Sequence, residues 1–269
     1  MSLLISGDLR LAKGYSLPDD ADAVAYIAAV EAADGQALET ATRMAINSFV
    51  KGCKNDGIWP AIKASCILAG ARTLAGALVP LVGAAPTNNG FIGIGTDYVR
   101  KTGLVGDGST KYLDSNRNNN TDPQDSKHLA VFVHTAGTPS NATQIYATNL
   151  YIAPQGMTTL AITGSQLATR NNSTNAYIAG SSTETGFYGT SRNQSAFYLS
   201  RSTGANNTIN TVSDARADGN IFIYRDPNPS FPFYTNARLA FYSIGESLDL
   251  ALLDTRVTDL INAFAAAIP

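Results

Sequence analysis

The sequence is short of charge. Asp, Glu, Lys and Arg make up 15% of its 269 residues, well under the roughly one quarter usual in a globular domain, and the net charge is −2. No dense basic run occurs, so the electrostatic face that holds phosphate backbones is missing and no nucleic-acid partner is expected. Asn, Thr, Ser and Gly replace the missing charges. Such a nearly neutral polar surface suits a chain packed into an assembly, or simply a Thr/Asn-rich β-protein. Long apolar runs are missing too. Each is broken by Lys, Arg, Gly or Pro far short of the span of a membrane helix, so no membrane insertion is expected. Asp8 and Arg10 fall too early for the apolar core of a signal peptide.

Chemistry-bearing residues are equally sparse. The two cysteines, Cys53 and Cys66, make no disulfide framework and are expected as buried free thiols. The two histidines, His128 and His134, lie far from both, so no zinc pattern exists and no metal or cofactor is expected. Gly93 with Gly95 and Gly106 with Gly108 lack the Lys-Ser/Thr of a phosphate loop. The glutamates are Glu31, Glu39, Glu184 and Glu246. None sits in the paired-carboxylate strand pattern of sandwich glycosidases. Asp122 with Asp125, and Asp214 with Asp218, fall in turn-like segments. His128 and His134 share one face of one strand, without a Gly-x-Ser-x-Gly elbow. The expectation is a protein that is not an enzyme.

What is present divides the chain. Residues 1–17 read as an extended arm with anchors at Leu3, Leu4, Ile5, Leu9 and Leu11. Pro18-Asp19-Asp20 puts acids at a helix start, followed by helices over 21–33 and 36–51. Asp34-Gly35 separates them and Gly52 is the expected stop. Leu38, Ala41, Ala45 and Phe49 recur at helical spacing, so this hairpin must bury a stripe on its own sheet or on a partner. A buried strand is expected over 64–71. The pivot is Gly103-Leu104-Val105-Gly106-Asp107-Gly108-Ser109-Thr110-Lys111-Tyr112-Leu113-Asp114, a strand, a turn and a second strand. Beyond it, Leu129, Val131 and Val133 alternate with His128, Ala130, Phe132 and His134. Further strands are expected over 144–152, 158–163, 176–179, 186–189, 195–200, 208–212, 220–225 and 238–244. Turns at roughly ten-residue spacing predict a β-sandwich. A last helix opens at Ser247 or Asp249, with Leu253, Val257, Leu260, Ile261, Phe264 and Ile268 on one face.

Sugars are held by amide and carboxylate hydrogen bonds beside an aromatic platform. Tyr112, Asp114, Asn116 and Asn118 supply both in one stretch and are the candidate glycan-binding residues. Tyr177, Phe187, Tyr188 and Tyr198 are further candidate rings. The same Asp/Asn-rich loop is ordinary turn chemistry. Its oxygens also suit calcium, although the spacing is not that of an EF-hand. The segment 225–234 carries three prolines and three aromatics that face either its own sandwich or a neighbour.

Three stretches stand in a familiar order: Phe49-Val50-Lys51-Gly52-Cys53-Lys54-Asn55-Asp56-Gly57-Ile58-Trp59, the pivot, and Arg238-Leu239-Ala240-Phe241-Tyr242-Ser243-Ile244-Gly245. Together they resemble the concanavalin A-like (laminin-G-like) jelly-roll domains of tailed-bacteriophage structural proteins, over about residues 20–268. The resemblance implies a jelly-roll sandwich of two antiparallel sheets, with an N-terminal helical hairpin and a C-terminal helix. It implies a non-enzymatic virion protein, of the tail-fibre or baseplate-appendage type, with host-glycan binding in adhesion as its functional option. A capsid decoration protein without a specific ligand is the alternative, and a carbohydrate-active enzyme a weaker one. It further implies assembly onto the virion in the host cytoplasm, a homo-oligomer with a trimer favoured, and contacts to other virion proteins. On this reading residues 1–57 serve attachment and oligomerisation, and 58–269 form the sandwich.

Overall fold

The computed structural model of the chain describes residues 18–93, 95–138, 143–149, 155–163, 166–181, 185–228 and 232–269. The expected N-terminal arm lies outside them. In chain order the elements are α1 (Ala21–Asp34), α2 (Thr40–Asn55), β1 (Ile62–Ile67), a single turn α3 (Leu74–Ala77), β2 (Thr87–Asn89), β3 (Tyr98–Val99), β4 (Gly103–Val105), β5 (Tyr112–Asn118), β6 (Lys127–Thr135), β7 (Thr143–Thr148) and β8 (Met157–Thr163). They continue as β9 (Gln166–Ser173), β10 (Tyr177–Ser181), β11 (Gly186–Arg192), β12 (Tyr198–Ser202), β13 (Ala205–Ile209), β14 (Asn220–Ile223), β15 (Arg238–Gly245) and α4 (Leu250–Ala267).

Local chemistry starts the helices. The Asp20 carboxylate accepts from the Asp22 and Ala23 N–H groups and caps α1, as Asp249 does for α4 through Ala251 and Leu252. Each cap satisfies amides that would otherwise be orphaned. α2 starts later than residue 36 and runs through Gly52 to Asn55, so Gly52 is not a stop. A Cβ there would meet the Arg256 side chain at 2.7 Å, so this glycine lets α2 and α4 approach.

Strands pair antiparallel into two sheets. One runs β13-β12-β11-β6-β15-β4-β3, with β1 also on β15; the other runs β10-β9-β8-β7-β14-β5-β2. The result is a jelly-roll-like sandwich with an N-terminal helical region and a C-terminal helix. Tyr188 on β11 and Tyr146 on β7 meet across it, ring centroids 5.8 Å apart. The other face of the first sheet is covered as well: Phe49 of α2 packs edge-on against Phe241 of β15 at 5.8 Å. That cover explains β6 and β15. Leu129, Val131 and Val133 face the second sheet, while His128 and Ala130 lie equally buried beneath helices. Alternation is present, yet from His128 to Val131 neither face meets solvent. The helical hairpin packs on its own chain and shares one core with the sandwich.

The pivot stretch docks on β15. Gly103 is left-handed (φ 96°), and a Cβ there would strike the Leu239 carbonyl at 2.2 Å, so no other residue fits that crossing. Asp107 then accepts the amides of Ser109, Thr110 and Lys111 and closes the turn.

The short β2 and β3 and the long β9 were not legible as strands. The β9 sequence, Gln-Leu-Ala-Thr-Arg-Asn-Asn-Ser, lacks an apolar alternation because most of its buried residues, Thr169, Asn171, Asn172 and Ser173, are polar. Asn171 Nδ2 crosses the sandwich to the Lys127 carbonyl and Thr190 Oγ1, each at 3.1 Å. Nearby, Lys127 and Asp122, both buried, pair at 2.6 Å, with Arg117 also on Asp122. Burial pushes the Asp122 carboxyl up, but the two cations together pull it below its ordinary value. Both cysteines are free and buried, and burial raises each thiol to about 12.

The hairpin is tied to the sandwich by Glu39. Its oxygens accept from Arg100 at 3.1 and 2.8 Å, and Arg72 pairs with it at 3.0 Å. The Arg100 hydrogen bonds pull the carboxyl from 4.5 to about 2. A lowered carboxyl stabilises the fold fully above its unfolded value, and that stability is lost as pH falls through the folded one. Glu39→Gln should therefore flatten the loss of stability between pH 4.5 and 2, by ~1 kcal/mol for a partly exposed site. Urea midpoints across that range check this; an unchanged profile would contradict it.

Candidate functional site

The helices leave the outer face of the second sheet uncovered at β5 and β14. There Asp114 pairs with Phe222 and Leu113 with Ile223. Leu113 and Ile223 are fully buried, so Tyr112, Asp114 and Phe222 stand on the outer face. The Tyr112 and Phe222 rings stack with centroids 5.2 Å apart and planes 16° from parallel.

The next residue breaks the alternation. Tyr224 has φ 74°, a left-handed conformation that costs a bulky residue about 1–3 kcal/mol. A regular strand would turn Tyr224 outward and Arg225 inward. Instead Tyr224 is fully buried, its hydroxyl donating to the Leu104 carbonyl at 2.5 Å and its ring edge-on to Phe91 at 5.2 Å. Arg225 is thereby aimed outward, next to Tyr112. Its guanidinium lies 4.7 Å from the Tyr112 ring centre and 5.3 Å from that of Tyr234. Tyr234 is held opposite by a bridge between the two residues. Tyr234, Arg225, Tyr112 and Phe222 thus form a half-buried row in which the one cation sits over two rings and a third ring stacks on the second.

Polar groups border the row. Asp114 accepts from the Asn116 amide at 2.8 Å and from Asn220 Nδ2 at 3.1 Å. Asp226 accepts from the Asn228 amide at 2.8 Å, and burial pushes its carboxyl above the ordinary range. The remaining candidates sit further along β5. Asn116 is left-handed (φ 54°), a conformation Asn tolerates, and its amide donates to the Ala85 carbonyl at 2.8 Å and Thr87 Oγ1 at 3.0 Å. Asn118 donates to Asp218 at 2.7 Å and accepts from the Asn120 and Gly219 amides. Tyr112 and Asp114 therefore belong to one surface with Phe222, while Asn116 and Asn118 pin β2 and the 218–219 turn.

The other candidate rings do not join this surface. Phe187, Tyr188 and Tyr198 are buried, and Tyr177 lies on β10, at the far edge of the sheet. Of the 225–234 segment, Pro229, Ser230 and Phe231 lie outside the described residues; Tyr234 packs on Arg225 of its own chain. Phe222, Arg225 and Tyr234 are the residues that sequence reasoning missed as site residues. The available signal was an arginine leading straight into a run of prolines and aromatics.

Of the two histidines, His134 lies 3.3 Å from Thr135 Oγ1 through Nδ1 at the exposed end of β6. His128 is fully buried, 2.6 Å from the Glu246 carbonyl through Nδ1 and 2.8 Å from Ser243 Oγ through Nε2. A carbonyl only accepts, so Nδ1 carries the proton. Among the described residues no three His, Cys, Asp or Glu side chains converge as metal ligands. None of the described helices is long and apolar enough to cross a membrane. A groove of about 430 Å³ between α2 and α4 is lined by Ala41, Met44, Phe49, Leu260 and Ala263 among others. It lies on the helical cover, away from β5 and β14.

No family model matches this sequence. No curated protein matches it either. Similar solved structures include the botulinum neurotoxin serotype D binding domain, at 12% identity and TM-score 0.47, over 74% of this chain and 50% of that one. A second is a mutant Trypanosoma rangeli sialidase displaying trans-sialidase activity, at 12% and 0.43, over 81% of this chain and 39% of that one. A third is a structure described for botulinum neurotoxin type C, whose cell entry depends on two ganglioside molecules, at 13% and 0.46, over 78% and 52%. The chain thus spans about half or less of each.

Proposed function

We propose that the protein is a non-enzymatic, glycan-binding sandwich whose sugar-facing surface is the outer face of β5 and β14. The carrying observation is the Tyr112–Phe222 stack, half-buried and therefore preorganised, with Asp114 beside it on the same face. Such a platform suits the apolar C–H face of a pyranose ring, and the flanking carboxylate and amides suit its hydroxyls. The carboxylates here accept amide protons from their own chain, which favours holding a ligand over transferring protons. The resemblance of the three sequence stretches supplies the setting: an adhesive structural protein of a tailed-phage virion, as tail fibre or baseplate appendage. Residues 1–57 would serve attachment and oligomerisation, with a trimer as the expected form.

A glycan array probed with the full chain tests this reading. Tyr112→Ala and Phe222→Ala should each weaken the recovered binding by roughly tenfold or more. Absence of binding to any glycan by the intact assembly would remove the lectin reading and favour a capsid decoration protein.

A further inference from the structure

We infer that the ligand of this surface is an acidic saccharide, one whose carboxylate is gripped by Arg225. The inference rests on the glycan-binding reading and names the chemical class. Four observations carry it. The guanidinium carbon lies over two rings, 4.7 Å from the centre of Tyr112 and 5.3 Å from that of Tyr234. Only its Nε has a protein acceptor among the described residues, the Asp226 carbonyl at 3.1 Å. Arg170 and Arg225 both act electrostatically on the half-buried Asp226 carboxylate, while among the described residues no carboxylate forms a direct ion pair with Arg225. Finally, the strained Tyr224 backbone (φ 74°) is what turns this arginine outward.

A surface arginine without a directly paired carboxylate usually waves in solvent. This one is fixed by stacking, and fixing one edge through Nε leaves the two terminal nitrogens as an open fork. A planar guanidinium fork matches a planar carboxylate with two parallel hydrogen bonds, a geometry lysine cannot reproduce. Position agrees with chemistry. The Tyr112–Phe222 platform lies between the fork and Asp114, so a ring seated on it has a cationic end and an acceptor end. A sugar carrying both a carboxylate and free hydroxyls, such as a uronic or nonulosonic acid unit, satisfies both ends. A neutral sugar leaves Arg225 unpaired.

The test uses the full chain on an array of neutral, carboxylated and sulfated glycans, with the same glycans as carboxyl methyl esters. Carboxylated glycans should dominate the hits, and esterification should abolish them. Arg225→Gln and Arg225→Lys should both weaken those hits roughly 10- to 100-fold, with melting curves checking that each variant is folded. The hits should also weaken as salt rises. Neutral hits, unaffected by Arg225→Gln and lost in Tyr112→Ala, would overturn the acidic class while leaving glycan binding intact. Hits confined to sulfated glycans, or full binding by Arg225→Lys, would overturn the carboxylate fork. Silence on every class would overturn both readings together.

Discussion

Arg192→Met is expected to cost ~4 kcal/mol and lower the melting temperature by roughly 8–16 °C. Among the described residues Arg192 is the largest side chain that is completely buried. No carboxylate among them pairs with it directly, although Asp125 and Asp214 act on it electrostatically. Instead the guanidinium donates to five carbonyls: Nε to Asn171 at 2.8 Å, Nη1 to Gln194, Ser195 and Phe197 at 3.1, 2.9 and 3.2 Å, and Nη2 to Thr211 at 3.0 Å. It also stacks 5.3 Å from the Tyr198 ring centre. The Asn171 bond crosses from β11 to β9 and ties the two sheets; the others close the 193–197 turn onto the chain beyond β13. Methionine fills much of the volume but leaves those carbonyls buried without donors, and an unmade buried hydrogen bond costs more than a made one contributes. Arg192→Lys, with three donors on one atom, should fall between the two. Chemical denaturation of the three proteins checks this; a Met variant within about 1 kcal/mol of the parent would mean that water replaces the guanidinium.

The second large effect is acid lability through His128. Burial lowers this imidazole from 6.5 to about 4. Below pH 6.5 the unfolded chain takes up a proton there, while the folded chain does not until about pH 4. Stability is therefore complete above 6.5 and falls through the window between the two values, by about 3 kcal/mol at its lower end. His134, lowered by burial and the nearby Arg238, adds to the same window. Glu39 acts below 4.5 and is separable. Unfolding free energies at pH 7, 5.5 and 4 should show this fall in the parent chain and a flatter profile in His128→Gln. Because the chain has two histidines, their ring proton resonances are easily assigned. A His128 resonance that titrates near 6.5 in the folded protein would sink the prediction.

Elements whose instructions are local were legible. The carboxylates of Asp20 and Asp249 announce their helices because an N-cap needs only its next three residues. The face of Leu253, Val257, Leu260 and Phe264 marks α4, and the alternation from His128 to His134 marks β6. β9 was not legible, because Asn171 and Asn172 are buried only by partners brought from β6, β11 and the 124–126 turn. Gly52 read as a stop, since the space it leaves is filled by Arg256 from the far end of the chain. Of the site, Tyr112 and Asp114 were legible as ring and acceptor on one strand. Phe187, Tyr188 and Tyr198 looked equally suitable, and only burial separates them.

The sequence by itself determined the class: few charges, alternating strands, capped helices, and polar turns at regular spacing leave little besides a β-sandwich with helices at its ends. What only the tertiary structure decided is the surface. Pairing β14 with β5 puts Phe222 against Tyr112, residues more than a hundred positions apart. The left-handed turn at Tyr224, tolerated because its ring is buried and its hydroxyl reaches Leu104, reverses which way Arg225 faces. Strand periodicity assigns that arginine to the interior, and the backbone strain that overrides it is held in place by contacts absent from the local sequence.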